Sequence, residues 1–174
     1  MTTPTPWPDL VFARFLDAGV TLFAYVPDAG NKRLIELAEA RAASRGDVRT
    51  VLLSTEEEGV ALAAGADLVG GRAVVCMQSS GVGNIANFLS LARGARFPLL
   101  LMVSMRGSAL EQNPWQKPMG EAVPAILDAM GVTRFTVEGS QELEPAAGEA
   151  VACFEDGGAA ALVLSQDFLG VKEF

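Results

Sequence analysis

The sequence predicts an α/β fold, a doubly wound and mostly parallel six-stranded sheet with helices on both faces. Six apolar runs recur along the 174 residues, and the stronger ones are continuous, as in strands that are buried on both sides. Segments with helical signals separate these runs, and such alternation is typical of a parallel sheet. Because no linker, repeat or composition shift interrupts the pattern, we expect a single domain over residues 1–174.

Each element follows from a local pattern in the sequence. The predicted strands are the apolar runs, of which the fifth is the weakest: 21–26, 50–54, 73–78, 99–104, 134–137 and 160–165. The predicted helices begin at signals such as "PD", and several end at glycine. They are 9–19, 31–44, 59–71, 83–95, 120–131 and 142–155. In such a sheet, ligands bind at the carboxyl ends of the strands. The segments at that edge are "PDAGN" (27–31), "STEEEG" (54–59), "SSGVGN" (79–84) and the long connection 105–120.

Composition excludes several classes of function. Thirteen basic against 21 acidic residues give a net charge of -8 without a basic cluster, so we expect no nucleic-acid partner. No apolar stretch approaches about 20 residues, and the N-terminus lacks a basic-then-apolar pattern, so we expect a cytoplasmic protein without a membrane partner. The absence of histidine excludes Ser-His-Asp and Cys-His catalysis. Cys76 and Cys153 lie in apolar runs, so neither a disulfide framework nor a metal site is predicted.

The three successive carboxylates of "STEEEG" allow two interpretations. In the first, Ser54 or Thr55 caps the helix and Glu57 or Glu58 completes a capping box, which is worth roughly 1 kcal/mol. In the second, one glutamate is a working acid. The helix that follows, "GVALAAGADLVGG", has small residues and almost no polar face, so a glutamate at its start would be partly desolvated and able to share a proton. Spacing alone leaves both interpretations open.

Two further segments are equally open. "MQSSGVGN" predicts a strand, a glycine-containing turn with Ser79 or Ser80 as cap, and a helix, or alternatively a backbone site for an anion or a flat ring. In the connection 105–120, an exposed Trp115 would indicate a segment that covers a site or an interface. A Trp115 folded back onto the core is the alternative.

Taken together, these segments resemble the pyrimidine-binding (PYR) domain of thiamine diphosphate enzymes, most closely the phosphonopyruvate and sulfopyruvate decarboxylase branch. The resemblance rests on "VPDAGNKRLIEL", "TEEEGVALAAGADLVGGRAVVCMQSSGVGNIANFLSLARGARFPLLLMVSMRG" and "EQNPWQKPMGEAVPAILDAMGV", and it runs from about Val11 to Ser165. Four segments in linked order are far more specific than any one of them. The resemblance implies the thiamine diphosphate-binding fold of PYR type.

The resemblance also selects one carboxylate. In this family, a Glu lies nine residues before a Gly in an Ala-rich helix, and Glu56 with Gly65 satisfies this spacing whereas Glu57 and Glu58 do not. It implies that Glu56 hydrogen-bonds the pyrimidine N1′ of thiamine diphosphate and so helps a proton to leave the thiazolium C2. The implied reaction is the decarboxylation of a 2-oxo acid to an aldehyde.

The remaining site residues are carried over position by position. The residues implied to line the cofactor, besides Glu56, are Pro27, Gly81, Val82, Gly83 and Asn84. The residues implied to face the substrate are Asp28, Ala29, Gln78, Ser80, Trp115 and Gln116. With Met119 and Gly120, the last two resemble the mobile segment over the active site.

Some positions bear on the identity of the substrate. The sequence departs from the family pattern at Tyr25, Ser79 and the pair Asp67-Leu68, where Gly, Asn and a Tyr are usual. The candidate partners for a second anionic group, a sulfonate or phosphonate, are Arg93, Arg106 and Lys117. For each of these cations taken singly, solvated surface charge is the favoured interpretation.

The family holds the cofactor's diphosphate through Mg²⁺ with a Gly-Asp-Gly stretch and a downstream Asn in a separate domain. Here only "RGDV" and "EDGG" come near that pattern. We therefore expect a diphosphate-binding β subunit that supplies most of the Mg²⁺ site, self-association through the sheet-covering helices into an α2β2 or larger complex, and a small anionic 2-oxo acid as substrate. The alternatives are a noncatalytic nucleotide- or partner-binding module and a carboligase subunit with the same cofactor.

Overall fold

The computed structural model describes residues 5–109 and 111–170. Its strands are β1 Val20–Tyr25, β2 Arg49–Leu52, β3 Arg72–Gln78, β4 Leu99–Ser104, β5 Thr133–Val137 and β6 Ala159–Leu164. They form one sheet in the order β2-β1-β3-β4-β6-β5, and every neighbouring pair is parallel. The predicted fold class is confirmed, and each strand lies within two residues of its predicted bounds.

The helices cover both faces of this sheet. They are α1 Trp7–Asp17, α2 Lys32–Arg45, α3 Glu56–Leu68, α4 Ser79–Ile85, α5 Leu89–Ala95, α6 Gln116–Ala129, α7 Ser140–Ala150, α8 Cys153–Asp156 and α9 Gln166–Leu169. Residues of α1, α2, α7 and α8 pack in one apolar cluster, whereas residues of α3, α4, α5 and α6 pack in a second cluster on the opposite face. None of the helices in the described ranges is long and apolar enough to span a bilayer.

The central strands show why the apolar runs are continuous. Along β3, Val74 and Cys76 belong to one cluster, and Val75 and Met77 belong to the other. Because successive side chains of a strand point to opposite faces, a strand with apolar layers on both sides needs an apolar residue at every position.

The structure differs from the predicted elements at three places. The helix predicted at 83–95 is two helices, and the first begins at Ser79, so the expected glycine turn is wrong. The connection predicted to reach residue 120 is shorter, because α6 begins at Gln116. The segment 142–155 is also divided between α7 and α8, and the short α9 was not predicted.

The strand order places a topological switch point between β1 and β3. The chain leaves β1 towards β2 on one side, and it continues from β3 to β4 on the other side. At such a point, the loops that leave the carboxyl ends diverge and open a crevice, which is the usual ligand site of an open parallel sheet. The segments that follow β1, β2, β3 and β4 therefore meet at the predicted edge.

Candidate functional site

Glu56 is a buried carboxyl group at the first residue of α3. Its exposed fraction is only 5%, although charged side chains are rarely so buried. The side chain lies against α4, where the Nδ2 of Asn84 donates a hydrogen bond to its Oε2 at 2.8 Å. A Cβ added to Gly81 would lie 2.6 Å from Oε1, so only glycine leaves room for this carboxyl group. Within the part of the chain that the structure describes, the Glu56 side chain makes no other hydrogen bond.

Glu57 and Glu58 have the structural role that the capping interpretation gave them, although the geometry differs. The backbone N–H of Ser54 donates to Oε2 of Glu58 at 2.9 Å, and the hydroxyl of Thr55 donates to Glu57. That second bond lowers the pKa of Glu57. Thr55 is the N-cap residue, but its side chain makes no capping bond, so the predicted capping box is wrong in detail. The two carboxylates are used at the helix terminus, and Glu56 is not.

The glycines of "SSGVGN" serve close packing inside α4. Gly81 makes room for Glu56 of α3, and a Cβ on Gly83 would lie 2.9 Å from the Sδ of Met119 on α6. Val82 between them is fully buried in the apolar core, and Ser80 is half-buried. These observations favour a packing role for the glycines over a backbone site for an anion.

A second polar cluster forms where the loop after β1 crosses the ends of β3 and β4. The Asp28 carboxylate accepts from the backbone N–H and the Nδ2 of Asn31, at 3.2 and 3.4 Å, and from the Ser104 hydroxyl. The Nδ2 of Asn31 also donates to the Met77 carbonyl at 3.1 Å. Gly30 is required here, because a Cβ would lie 2.5 Å from that of Ser104.

The structure gives the other predicted site residues less direct support. Pro27 and Ala29 are exposed and line, with Asp28, a cavity of about 450 Å³ formed by β1 and α2 rather than by α3 or α4. Trp115 is 77% exposed, so the alternative of a Trp folded back onto the core is wrong. Gln116 begins α6 and is half-buried.

Unpaired oxygens mark the same edge of the sheet. Within the described ranges, the buried side-chain oxygens without a hydrogen-bond partner belong to Asn31, Gln78, Asn113 and Gln116. All four lie in segments that begin at the carboxyl ends of β1, β3 and β4. Because buried polar atoms ordinarily have a partner, this edge fits a polar ligand. In the described part of the chain, Oε1 of Glu56 also has no hydrogen-bond partner, so this carboxyl oxygen can accept from a ligand.

Of the three basic candidates for a second anionic group, only Lys117 remains suitably placed. Arg106 is already engaged by Glu111 in a two-bond ion pair, with both N···O distances at 2.6 Å. Arg93 donates to the carbonyl of Ala129, next to the amino end of β5, and so lies at the opposite edge. Lys117 is exposed in the first turn of α6.

Sequence reasoning missed three residues at this edge: Ser104, Glu111 and Gln166. Ser104 had a usable signal, since it is the polar last residue of an apolar strand. Glu111 and Gln166 had none, because their partners lie in other segments. Both cysteines are free and buried, and the described residues contain no group of three or more His, Cys, Asp or Glu side chains that could hold a metal ion.

Comparison with known proteins identifies the family. The family model described as "Thiamine pyrophosphate enzyme, N-terminal TPP binding domain" matches residues 9–132, which is most of the chain. This chain belongs to that family of thiamine pyrophosphate enzymes. Thiamine pyrophosphate is the same compound as thiamine diphosphate, so the family predicted from the segments is confirmed.

Individual relatives and a solved structure agree with this family. The chain is 31% identical over 133 residues to the sulfopyruvate decarboxylase subunit alpha of Methanocaldococcus jannaschii, covering 76% of each chain. It is 34% identical over 128 residues to the sulfopyruvate decarboxylase of Methanosarcina acetivorans, covering 73% of this chain but 31% of that longer one. A 2-oxoglutarate:ferredoxin oxidoreductase from Magnetococcus marinus has the same fold, with a TM-score of 0.69 at 14% identity, covering 95% of this chain and 29% of that one.

Proposed function

We propose that this chain is the alpha subunit of a thiamine pyrophosphate-dependent decarboxylase that acts on a short 2-oxo acid with a 3-sulfo or 3-phosphono group. The observation that carries the proposal is the buried Glu56 carboxyl at the switch-point edge, held by Asn84 and cradled by Gly81. The name of the Methanocaldococcus jannaschii relative supports the substrate class.

The bound cofactor supplies the electron sink that makes loss of CO2 from a 2-oxo acid possible. The role of this chain is to hold and transfer a proton at the Glu56 carboxyl group. Asn84 fixes Oε2 of Glu56, which leaves Oε1 able to share a proton with the pyrimidine ring that the site would hold. Only 5% of Glu56 is exposed, so few water molecules compete with a bound ligand for this proton.

The other residues are assigned from the family resemblance, position by position. The proposed cofactor contacts are Pro27, Gly81, Gly83 and Asn84, with Val82 packed behind them. The proposed substrate contacts are Asp28, Ala29, Gln78, Ser80, Trp115 and Gln116. Support for them comes from the unpaired oxygens of Gln78 and Gln116 and from the Asp28 cluster at the same edge.

The diphosphate and its Mg²⁺ are assigned to a second polypeptide, a β subunit that closes the site, in an α2β2 or larger cytoplasmic complex. Two observations support a partner. The Methanocaldococcus jannaschii relative is named as a subunit, and the longer Methanosarcina acetivorans relative extends well beyond the part that this chain matches. The exposed apolar residues Leu68 and Val69 lie at the other end of α3 from Glu56 and are suited to a separate contact within the complex.

The decisive experiment is decarboxylation by the chain co-expressed with its diphosphate-binding partner. Sulfopyruvate and 3-phosphonopyruvate are supplied, and CO2 and the aldehyde are measured. Glu56→Gln keeps the size of the side chain but cannot share the proton, so we expect kcat to fall by about 100-fold or more. The matched control is Glu58→Gln, which alters a neighbouring carboxylate that accepts from the backbone of Ser54, and it should retain kcat within about threefold.

The alternatives give different results in the same assay. A noncatalytic binding module predicts no turnover in wild type and no effect of Glu56→Gln on ligand binding. A carboligase predicts that CO2 is released while a carbon–carbon-linked product replaces the aldehyde. Full activity of the Glu56→Gln complex would reject the proposed role of this residue.

A further inference from the structure

Glu111 is the centre of a buried hydrogen-bond network that the proposed function does not use. Its side chain is fully buried and accepts two bonds from the Arg106 guanidinium, both at 2.6 Å. It also accepts from the backbone N–H groups of Gly107 and Asn113, at 3.3 and 2.9 Å, and from Nε2 of Gln166 at 3.0 Å. Charge-assisted bonds of this kind are the strongest that a carboxylate makes, so the network is rigid.

The network joins the connection between β4 and α6 to two other elements. Gln166 belongs to α9, and its Oε1 accepts from the backbone N–H of Ser108 at 2.9 Å, so it binds the connection twice. The backbone N–H of Arg106 donates to the hydroxyl of Ser79, the first residue of α4, at 3.2 Å. The start of the connection is therefore fixed between α9 and α4.

The same backbone lies directly against the first turns of α6. A Cβ on Gly107 would lie 2.8 Å from the Gln116 carbonyl oxygen, and one on Gly120 would overlap the Arg106 carbonyl. With no side chain between these backbones, a displacement of Arg106 is passed on to α6 and its Gln116. Met119 on the same helix contacts Gly83 of α4, the helix that holds Glu56.

We propose that Glu111 is a positioning residue, which holds Gln116 and the start of α6 in place at the carboxyl edge of the sheet, beside α4, so that the 2-oxo acid can bind. This inference rests on the proposed function. Glu111 does not touch the reacting atoms. It acts through Arg106, Gly107 and Gln166, and its loss should weaken substrate binding more than the chemical step.

Two variants test the network in the complex with the partner subunit. Glu111→Gln removes the carboxylate and leaves the Arg106 charge buried, so it can lose folded protein. Gln166→Leu removes one bond to Glu111 and one to Ser108 without changing any charge. The control is Glu144→Gln, which alters an exposed ion pair with Arg14 that is remote from this edge.

The measurements are KM and kcat for sulfopyruvate and hydrogen exchange of residues 106–109 and 111–120. We expect both variants to raise KM tenfold or more, to leave kcat within threefold, and to speed exchange of these segments tenfold or more. The emission of Trp115 in a Trp7→Phe background should shift in the same variants, because Trp115 immediately precedes Gln116. The control should match wild type in all three measurements.

Other outcomes overturn the inference in separable ways. Faster exchange with an unchanged KM would leave Glu111 a purely structural residue, and an unchanged exchange rate would show that it does not hold the connection. A fall in kcat alone would place its role in chemistry. A wild-type complex that decarboxylates no 2-oxo acid would overturn the proposed function instead, while the exchange rates would still decide whether Glu111 fixes the connection.

Discussion

At the scale of single residues, neighbouring carboxylates have different environments because a helix turns by about 100° at each residue. Glu56 points towards α4 and is buried, whereas Glu57 and Glu58 turn back to the N-terminus of α3, where they accept from Thr55 and Ser54. A role at the helix terminus therefore applies to Glu57 and Glu58, whereas the working-acid interpretation stays a prediction for Glu56. A carboxylate placed one residue earlier or later along the chain would occupy a half-buried position instead of the buried one.

Glu111 makes the stability of the fold depend on pH. The Arg106 guanidinium, followed by the Asn113 and Gly107 backbone bonds, lowers the pKa of this carboxyl to about 2, although burial opposes the shift. Because the folded-state pKa lies below its ordinary value near 4.5, the ionised network stabilises the protein above pH 4.5. This stabilisation is lost as the pH falls towards 2.

We therefore expect the free energies of unfolding of wild type and Glu111→Gln to converge in acid. The difference should shrink by about 2 kcal/mol between pH 6 and pH 3. Over that range the unfolded wild-type chain takes up a proton at this position, whereas the glutamine variant does not. Urea unfolding of both proteins at several pH values measures this difference in the free energy of unfolding. Glu144→Gln, at an exposed ion pair, should show a difference below about 0.5 kcal/mol at every pH. A constant difference for Glu111→Gln would contradict the assigned network.

At the scale of elements, α4 shows what sequence patterns can and cannot predict. The strand before it was predicted within one residue, because burial on both faces leaves a continuous apolar run. "SSGVGN" was interpreted as a turn, since glycine usually marks one, and the structure shows a helix instead. The reason lies in tertiary packing, because Glu56 contacts the helix at Gly81 and Met119 contacts it at Gly83. Local sequence cannot predict which other elements pack against a helix.

Substitution of Gly81 tests this close approach. Gly81→Ala puts a methyl group against the Glu56 carboxyl, and overpacking of this kind costs about 1–3 kcal/mol in unfolding free energy. It should also displace Glu56 and lower decarboxylation. The matched control is Gly94→Ala in α5, where nothing lies within 4 Å, and a helical glycine there should gain about 0.5–1 kcal/mol. Thermal unfolding of both variants measures these two changes in stability. A stabilised Gly81→Ala variant would contradict the packing assigned to α4.

At the scale of the whole molecule, large apolar side chains are exposed on the side of the sheet formed by β2 and α3. The resemblance predicts the family of the protein, because four segments occur in linked order along the chain. It also selects Glu56 among the three carboxylates. It did not predict Glu111 or Gln166, whose partners are far apart in sequence. Leu52, Leu68 and Val69 are 64%, 86% and 83% exposed at the ends of β2 and α3, and a Cβ on Gly65 would meet nothing within 4 Å. Such a surface is typical of a chain that functions with a partner.

Cofactor binding provides the test at this scale. The chain carries a net charge of -8, which repels a diphosphate, and the described residues offer no cluster of metal ligands to offset that repulsion. We therefore expect isothermal titration calorimetry with Mg²⁺ to detect no tight binding of thiamine pyrophosphate by the isolated chain, and at least 100-fold tighter binding by the complex. Glu56→Gln in the complex should lose part of that affinity, because the diphosphate contacts remain while the contact to the pyrimidine ring is weakened. Micromolar or tighter Mg²⁺-dependent binding by the chain alone would refute a site shared between two polypeptides.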